Sequence, residues 1–183
     1  MVNVISEKKE YMAGLTGMGG GPTSFTFVDA SGEQEIKYTR TSIGFDGSND
    51  YLSVADSADW SFGSGNFTVE ALFYKDDTDF KSYEAIVGQW PDSGGTSNNS
   101  WVLEFVGSGN SSTLYFYMYD GSVINFGGPT LAKNQWYHVA VCRSGNNIKM
   151  WINGVVYDSS GYSYSGTFNA APSALTIGGG VAA

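Results

Sequence analysis

Apolar and polar side chains alternate along short segments through most of the chain, and this period of two predicts β-strands. Gly, Ser, Asn and Asp separate the segments, and no helix-period segment exceeds about two turns. Many short strands joined by polar turns predict an all-β fold, a jelly-roll sandwich of two antiparallel sheets. The predicted strands are 24–29, 34–39, 41–46, 50–54, 66–75, 83–88, 100–106, 112–119, 122–126, 135–143, 147–152, 154–158 and 174–178.

Individual segments indicate which side chains face the core. Segment 66–75 has one apolar and one mixed face, and its apolar face is Phe67, Val69, Ala71 and Phe73. In segment 135–143 both faces carry apolar residues, so the alternation leaves the core side open. Asn153-Gly154 lies between two predicted strands and predicts a type I′ hairpin turn, because both residues tolerate positive φ.

Segment 113–120, TLYFYMYD, is a predicted strand without an obvious polar face. Because side chains alternate between the two faces of a strand, Leu114, Phe116 and Met118 are expected on one face. Tyr115, Tyr117 and Tyr119 are expected on the other face. If the apolar set fills the core, the tyrosines lie on an outer sheet face, which suits an apolar ring with a polar hydroxyl. Three interpretations stay open: the rings stack on sugars, pack against another subunit, or lie under a loop of the same chain. Trp90, in a loop rich in Ser, Gly and Asn, supplies a further ring.

Composition limits the partners of the protein. Nine Lys and Arg against eighteen Asp and Glu give a net charge of −9, which makes nucleic acid and anionic membranes poor partners. No apolar run approaches the roughly 20 residues that span a bilayer. Cys142 is the one cysteine, so no intrachain disulfide forms. The N-terminal sequence lacks the pattern of a signal peptide, and we expect synthesis in a cytoplasm.

The first residues of the chain differ in composition from the rest. Residues 1–22 are rich in Gly and Met, and we expect a flexible arm there, followed by one domain over residues 23–183. Met12 and Met18 give the arm adaptable apolar contacts for a neighbouring subunit, so the chain is expected to be oligomeric when it works. The alternative for the arm is a disordered tail.

Three stretches resemble a laminin G-like domain of the concanavalin A-like lectin/glucanase superfamily. They are SIGFDGSNDYLSVADSADWSFGSGNFTVEALFY, NQWYHVAVCRSGNNIKMWINGVVYDSSG and ALTIGGG, within residues 41–180. The resemblance implies a jelly roll with one concave and one convex sheet, and binding or scaffolding more often than catalysis. The closing strand of the family, Gly-x-Ile-Asp-Glu-x-Arg, has no counterpart in the sequence, and we expect Ser24–Asp29 to fill that sheet edge. The alternatives are the N-terminal arm of a neighbouring subunit and an edge that stays short and solvated.

Catalytic patterns are weak, and we predict that the protein is not an enzyme. The Glu-x-Asp-x-x-Glu strand of the superfamily's glucanases is absent from the sequence. Glu33 and Glu35 would share one face of a strand, which suits acid–base chemistry in geometry, but a solvated strand edge is the simpler interpretation. His138 and Cys142 are roughly 13 Å apart along a strand and cannot share a metal ion.

No cofactor is required by these patterns, but Ca²⁺ is a candidate ligand. Calcium prefers oxygen ligands, and some laminin G-like domains bind it at the sandwich rim. The segment KDDTDF offers Asp76, Asp77 and Asp79 in one turn. Solvated acidic turns are the ordinary alternative, because Asp favours turns for its own backbone hydrogen bonds.

These features together predict a non-enzymatic virion surface protein of a bacteriophage, either a capsid decoration protein or a fibre component. It would dock on other virion subunits, or on copies of itself, and could also contact host glycans. The step to a virion is by association, since a fold does not fix a function. The alternatives are a free bacterial carbohydrate-binding lectin, with or without calcium, and a degenerate glucanase.

Overall fold

The computed structural model describes residues 24–29, 32–37, 43–45, 50–75, 82–91, 96–108 and 111–179. Thirteen strands are described, together with one 3-10 turn, Ala58–Trp60. The strands are β1 Ser24–Asp29, β2 Gly32–Lys37, β3 Leu52–Val54, β4 Phe67–Lys75, β5 Tyr83–Gly88, β6 Trp101–Ser108, β7 Ser111–Tyr119, β8 Val123–Leu131, β9 Gln135–Ser144, β10 Asn147–Ile152, β11 Val155–Val156, β12 Tyr162–Ser163 and β13 Leu175–Ile177. In the described part of the chain, no helix is long and apolar enough to cross a membrane.

The strands from β3 onwards form two antiparallel sheets. One sheet has six strands in the order β3-β13-β5-β6-β7-β8. The other has five, in the order β11-β10-β9-β4, with β12 also paired to β10. The prediction of an all-β jelly-roll sandwich is therefore confirmed.

The strands β1 and β2 form a separate two-stranded antiparallel sheet. The partner of Ser24–Asp29 is thus Gly32–Lys37, and the prediction that this segment fills an edge of the sandwich is wrong. The predicted N-terminal arm, residues 1–22, lies outside the described residues, as do Met12 and Met18.

The core lies between the inner faces of the two large sheets. The predicted apolar face of β4 is confirmed, because Phe67, Val69 and Ala71 are buried. On β9 the structure decides the open assignment: Val139 and Val141 are fully buried and face the core. Across the sandwich they meet the inner face of β7, whose residues Leu114, Phe116 and Met118 are fully buried.

One end of this core is closed by a buried arginine. Arg143 is 3% exposed, and its guanidinium lies over the ring of Tyr164 at 5.1 Å. It donates to the carbonyl oxygens of Gly63, Gly166 and Tyr164 at 3.2, 3.0 and 3.3 Å. A charged group is tolerated at such depth because its donors are satisfied. The arginine thereby ties the irregular segments of the rim to β9.

The turn between β10 and β11 agrees with its sequence. Asn153 has φ of 50° and Gly154 has φ of 80°, so the predicted type I′ turn is confirmed. The Asn153 side chain adds a second function, since its Oδ1 accepts a hydrogen bond from the backbone N–H of His138 at 2.9 Å. The turn is thereby fixed to β9.

Strand boundaries differ from the sequence prediction in several places. Residues 43–45, inside the predicted strand 41–46, are irregular, and β12 was not predicted. The largest difference is β8, which was predicted to end at residue 126 but continues to Leu131 through Gly127, Gly128 and Pro129. Gly and Pro are uncommon in the interior of a strand. However, β8 is an edge strand of its sheet, where a missing N–H is tolerated.

Candidate functional site

The outer face of the six-stranded sheet carries the predicted tyrosine row. Tyr115, Tyr117 and Tyr119 are half-buried on β7, on the opposite face from the buried apolar residues of that strand, as predicted. The rings of Tyr115 and Tyr117 are 5.5 Å apart between centroids. We call this surface the tyrosine face, and its members are Tyr83, Glu104, Tyr115, Tyr117 and Tyr119.

The neighbouring strand β8 makes room for Tyr115. Gly127 is the direct cross-strand partner of Tyr115. A Cβ at Gly127 would lie 3.1 Å from Cε1 of the Tyr115 ring, which is closer than ordinary side-chain contacts allow. The ring therefore lies across β8 in the space that a side chain at this position would occupy. This explains why β8 contains a glycine in the middle of a strand.

Trp90 covers part of the row from the loop that follows β5. Its ring is 6.1 Å from that of Tyr117 and meets Tyr119 edge-on at 6.5 Å. Trp90 is 6% exposed, so it supports the tyrosine rings from the side and offers little surface of its own. A loop of the same chain thus covers one end of the row, and Tyr115 lies at the other end.

The base of the Trp90 loop is fixed by buried polar side chains. Gln89 is fully buried and donates from Nε2 to the Ser173 carbonyl at 2.7 Å. Ser100, also fully buried, donates from Oγ to the Asn169 carbonyl at 2.6 Å. Because buried polar groups hold their partners firmly, these bonds place Trp90 beside the tyrosines.

A carboxyl group lies beside the row. Glu104 on β6 is the direct cross-strand partner of Tyr115. It is 3% exposed, and its Oε2 is buried with no hydrogen-bond partner among the described residues. Burial raises the pKa of the Glu104 carboxyl to about 7, because the ionised form is poorly solvated. Among the described strand positions of this face, Glu104 is the one carboxyl group.

The Tyr117 hydroxyl beside Glu104 remains protonated at neutral pH. Burial, together with the nearby Glu104, Tyr83 and Tyr115, raises the pKa of Tyr117 to about 12. A protonated phenol both donates and accepts hydrogen bonds. Tyr83 stands at the start of β5 on the same face and is 56% exposed. The tyrosine face therefore presents apolar rings, hydroxyl groups and one buried carboxyl.

Sequence reasoning found the tyrosines and Trp90 but missed Glu104 and Tyr83. The signal for Glu104 is its place in WVLEFV, where a carboxylate interrupts an otherwise apolar strand. An ionisable group at such a position is seldom fully buried unless it is paired. Tyr83 carries no comparable signal, because its neighbourhood depends on the pairing of β5 with β6.

The other predicted sites are placed as follows. Asp76, Asp77 and Asp79 lie outside the described residues. Within the described part of the chain, no group of three His, Cys, Asp or Glu side chains could hold a metal ion. Cys142 accepts a hydrogen bond from Thr68 Oγ1 at 3.3 Å, and burial raises the pKa of its thiol.

A second aromatic surface lies on the outer face of the five-stranded sheet. Tyr74 and Trp136 are cross-strand partners with ring centroids 5.5 Å apart. They are 47% and 48% exposed, and Leu72 beside them is 43% exposed. We call Leu72, Tyr74 and Trp136 the Trp136 patch. The described residues of the patch include no buried charge. The adjacent Glu70 is exposed, and its Oε1 lies 3.9 Å from Nε2 of His138.

The order of strands and the two-sheet core agree with a known family. A family model of laminin G type, described as the concanavalin A-like lectin/glucanases superfamily, matches residues 46–183. The chain belongs to this superfamily. The family resemblance seen in the sequence is confirmed, and the tyrosine face lies within the matched part of this concanavalin A-like chain. No curated protein sequence matches it.

Solved structures similar to the concanavalin A-like chain include two bacterial domains. One is domain 4 of AbnA, a GH43 extracellular arabinanase from Geobacillus stearothermophilus, solved in complex with arabinotriose. It is 16% identical with a TM-score of 0.50, over 89% of this chain and 69% of that one. The other is the carbohydrate-binding module CBM66 from Bacillus subtilis, 12% identical with a TM-score of 0.40, over 84% of this chain and 83% of that one. At 16% identity, the likeness to the arabinanase domain concerns the fold.

Proposed function

We propose that the chain is a non-enzymatic carbohydrate-binding protein whose ligand lies on the tyrosine face. The observation that carries the proposal is the pair of half-exposed rings, Tyr115 and Tyr117, beside the buried carboxyl of Glu104. Sugar rings have apolar faces that stack on aromatic side chains, and their hydroxyl groups need hydrogen-bond partners. The tyrosine face offers both kinds of group within one surface.

Binding suits this surface better than hydrolysis. Glycoside hydrolysis ordinarily uses two carboxyl groups on either side of the scissile bond. The described strands of the tyrosine face supply Glu104 alone. The arabinanase domain was solved with arabinotriose, so a similar fold holds a sugar in that protein.

A glycan array with matched variants tests the proposal. We expect Tyr117→Ala to weaken binding roughly twofold to tenfold, because stacking on an aromatic ring contributes on the order of 0.5–1.5 kcal/mol. Tyr74→Ala is the matched control, since Tyr74 is similarly aromatic but lies on the other sheet. Loss of binding in Tyr74→Ala with retention in Tyr117→Ala would move the site to the Trp136 patch. A wild-type protein that retains no glycan would contradict carbohydrate binding itself.

We also propose that the chain works on the surface of a phage virion, docked on other virion subunits. The Trp136 patch supports docking, because its three neighbouring apolar side chains are each more than 40% exposed. Co-sedimentation with purified particles tests it, with Trp136→Ser expected to detach the protein and Tyr117→Ala expected to leave it attached. If both variants remain on the particle, docking uses another surface, and if the wild-type protein never sediments, the virion assignment fails.

A further inference from the structure

Glu104 has no counter-ion in the described part of the chain. No described lysine, arginine or histidine pairs with its carboxyl group, and its Oε2 has no hydrogen-bond partner. A buried carboxylate without a partner is unfavourable, since it has lost its hydration without gaining another stabilising group. Oε2 of Glu104 is therefore a hydrogen-bond acceptor that no described residue satisfies.

The surroundings of Glu104 are aromatic. Tyr115 lies directly opposite it on β7, and Tyr117 follows at 5.5 Å from Tyr115. Tyr83 faces the same side from β5 and interacts electrostatically with Tyr117. Aromatic ring faces attract cations through their quadrupole, and a carboxylate attracts them through its charge. Rings and carboxylate together favour a compact cation.

We propose that the tyrosine face recognises a glycan through a free, protonated amino group that lies between Glu104 and the rings of Tyr115 and Tyr117. This inference rests on the proposed function and names its ligand class, sugars with an unacetylated amino group such as glucosamine. The ammonium group donates a charge-assisted hydrogen bond to Oε2 and compensates the buried charge.

A neutral sugar group fits the site less well. A hydroxyl group can satisfy the free hydrogen bond of Oε2, but it leaves the carboxylate charge uncompensated. An acetylated amino group is neutral as well, and it adds bulk where Glu104 is already enclosed. The free amine therefore differs from a hydroxyl group in charge, and from an acetylated amino group in both charge and size.

A ligand reaches Oε2 after a tyrosine ring turns aside. Tyr115 and Tyr117 are half-buried, and side chains that are partly in solvent change rotamer rapidly. Part of the Tyr115 ring lies beside Gly127 on β8, where no side chain restricts it. Entry therefore needs no movement of the sheet.

Binding of an ammonium group to Glu104 is coupled to the release of a proton. The free carboxyl is mostly protonated below its pKa of about 7, so an ammonium ligand must displace one proton to bind the carboxylate. Among the described residues, the titratable groups on this face besides Glu104 are Tyr83 from β5 and Tyr115, Tyr117 and Tyr119 from β7. The Tyr117 hydroxyl, with its pKa raised to about 12, does not titrate near pH 6 and leaves this proton release unchanged.

Calorimetry with two oligosaccharides of equal length tests the inference, one of glucosamine and one of N-acetylglucosamine. We expect the glucosamine oligomer to bind at least about tenfold more tightly. Its affinity should rise roughly tenfold between about pH 5 and about pH 6, with release of one proton. Glu104→Gln should remove both effects. Glu70→Gln removes an exposed carboxylate from the other sheet and should leave both unchanged.

Each result has a distinct meaning. Equal binding of the two oligomers, or a preference that survives Glu104→Gln, would overturn the amino-group inference. If neither oligomer binds while other glycans bind through Tyr117, the inference fails and carbohydrate binding stands. If no glycan binds at all, both proposals fail. Should Glu104→Gln misfold, as checked by circular dichroism, the proton release and pH dependence of the wild-type protein still decide the matter.

Discussion

Tyr115 and Glu104 are direct cross-strand partners on adjacent strands of the six-stranded sheet. On the other side of β7, the ring of Tyr115 lies beside Gly127 of β8. Tyr115 therefore has the buried carboxyl of Glu104 on one side and a residue without a side chain on the other. The chemistry of the tyrosine face therefore depends on three adjacent strands, β6, β7 and β8. Substitutions in each strand separate these contributions.

The stability of the protein should depend on pH through Glu104. Its pKa is raised from 4.5 to about 7, so the folded state binds the proton more tightly than the unfolded state does. The tighter proton binding stabilises the folded state, and this stabilisation is fully present below the unfolded pKa and is lost as the pH rises to about 7. It amounts to at most on the order of 3 kcal/mol.

Urea unfolding of wild-type protein and Glu104→Gln at both ends of this pH range measures the effect. The variant should gain stability relative to the wild type as the pH rises, because the amide stays neutral. Glu70→Gln, an exposed carboxylate, controls for the change in net charge. A constant difference between Glu104→Gln and wild type at all pH values would show that Glu104 does not titrate in this range.

The two glycines of β8 should respond differently to alanine. A Cβ on Gly128 would collide with Met150 Sδ and lie 3.1 Å from the Leu114 carbonyl oxygen, so Gly128→Ala should cost about 1–3 kcal/mol of stability. A Cβ on Gly127 meets the Tyr115 ring, which can move outwards. We therefore expect Gly127→Ala to weaken glycan binding more than folding. Thermal unfolding and calorimetry of the two variants check this, and the opposite ranking would contradict the assignment of the faces.

Removal of the Trp90 ring should affect both folding and binding. Trp90 is 6% exposed and packs on Tyr117 and Tyr119, so Trp90→Ala should cost on the order of 3 kcal/mol. Loss of its side support should also loosen the Tyr117 ring and weaken glycan binding. Trp90→Phe, which keeps an aromatic side chain, should restore much of both. Chemical unfolding and calorimetry measure the two effects, and full binding by Trp90→Ala would show that Tyr117 needs no support.

The turn after β10 should not tolerate a β-branched residue. Gly154 has φ of 80°, where valine is strained, so Gly154→Val should cost on the order of 1–2 kcal/mol. Gly44 is exposed, lies outside the positive-φ glycines and has open space around it, which makes Gly44→Val a suitable control. Equal melting temperatures of the two variants would argue against the turn geometry.

The sequence predicted those parts of the fold that depend on local alternation. The apolar face of β4 and the division of β7 into two faces follow from a period of two, and the Asn153-Gly154 turn follows from local backbone preference. The length of β8 did not follow, because Gly127 and Gly128 resemble loop residues until their partners across the sheet are known.

The candidate site was predictable only in part for the same reason. The tyrosines are recognisable in the sequence because they occupy every second position of one strand. Glu104 is a single acidic residue, and it matters because it is buried between strands. Burial on a sheet face depends on which strands are neighbours, and strand order is a long-range property. The support of Tyr117 by Trp90 likewise joins β7 to the loop after β5.

The two faces of β7 also affect how the chain finds its native pairing. Leu114, Phe116 and Met118 on one side and the tyrosines on the other are both largely apolar, so hydrophobicity alone discriminates weakly against a slip of one residue. The space left by Gly127 is filled by the Tyr115 ring in the native alignment, and a slip of one residue would present Leu114 or Phe116 to it instead. The register of this hairpin is thus specified in part by a position that has no side chain.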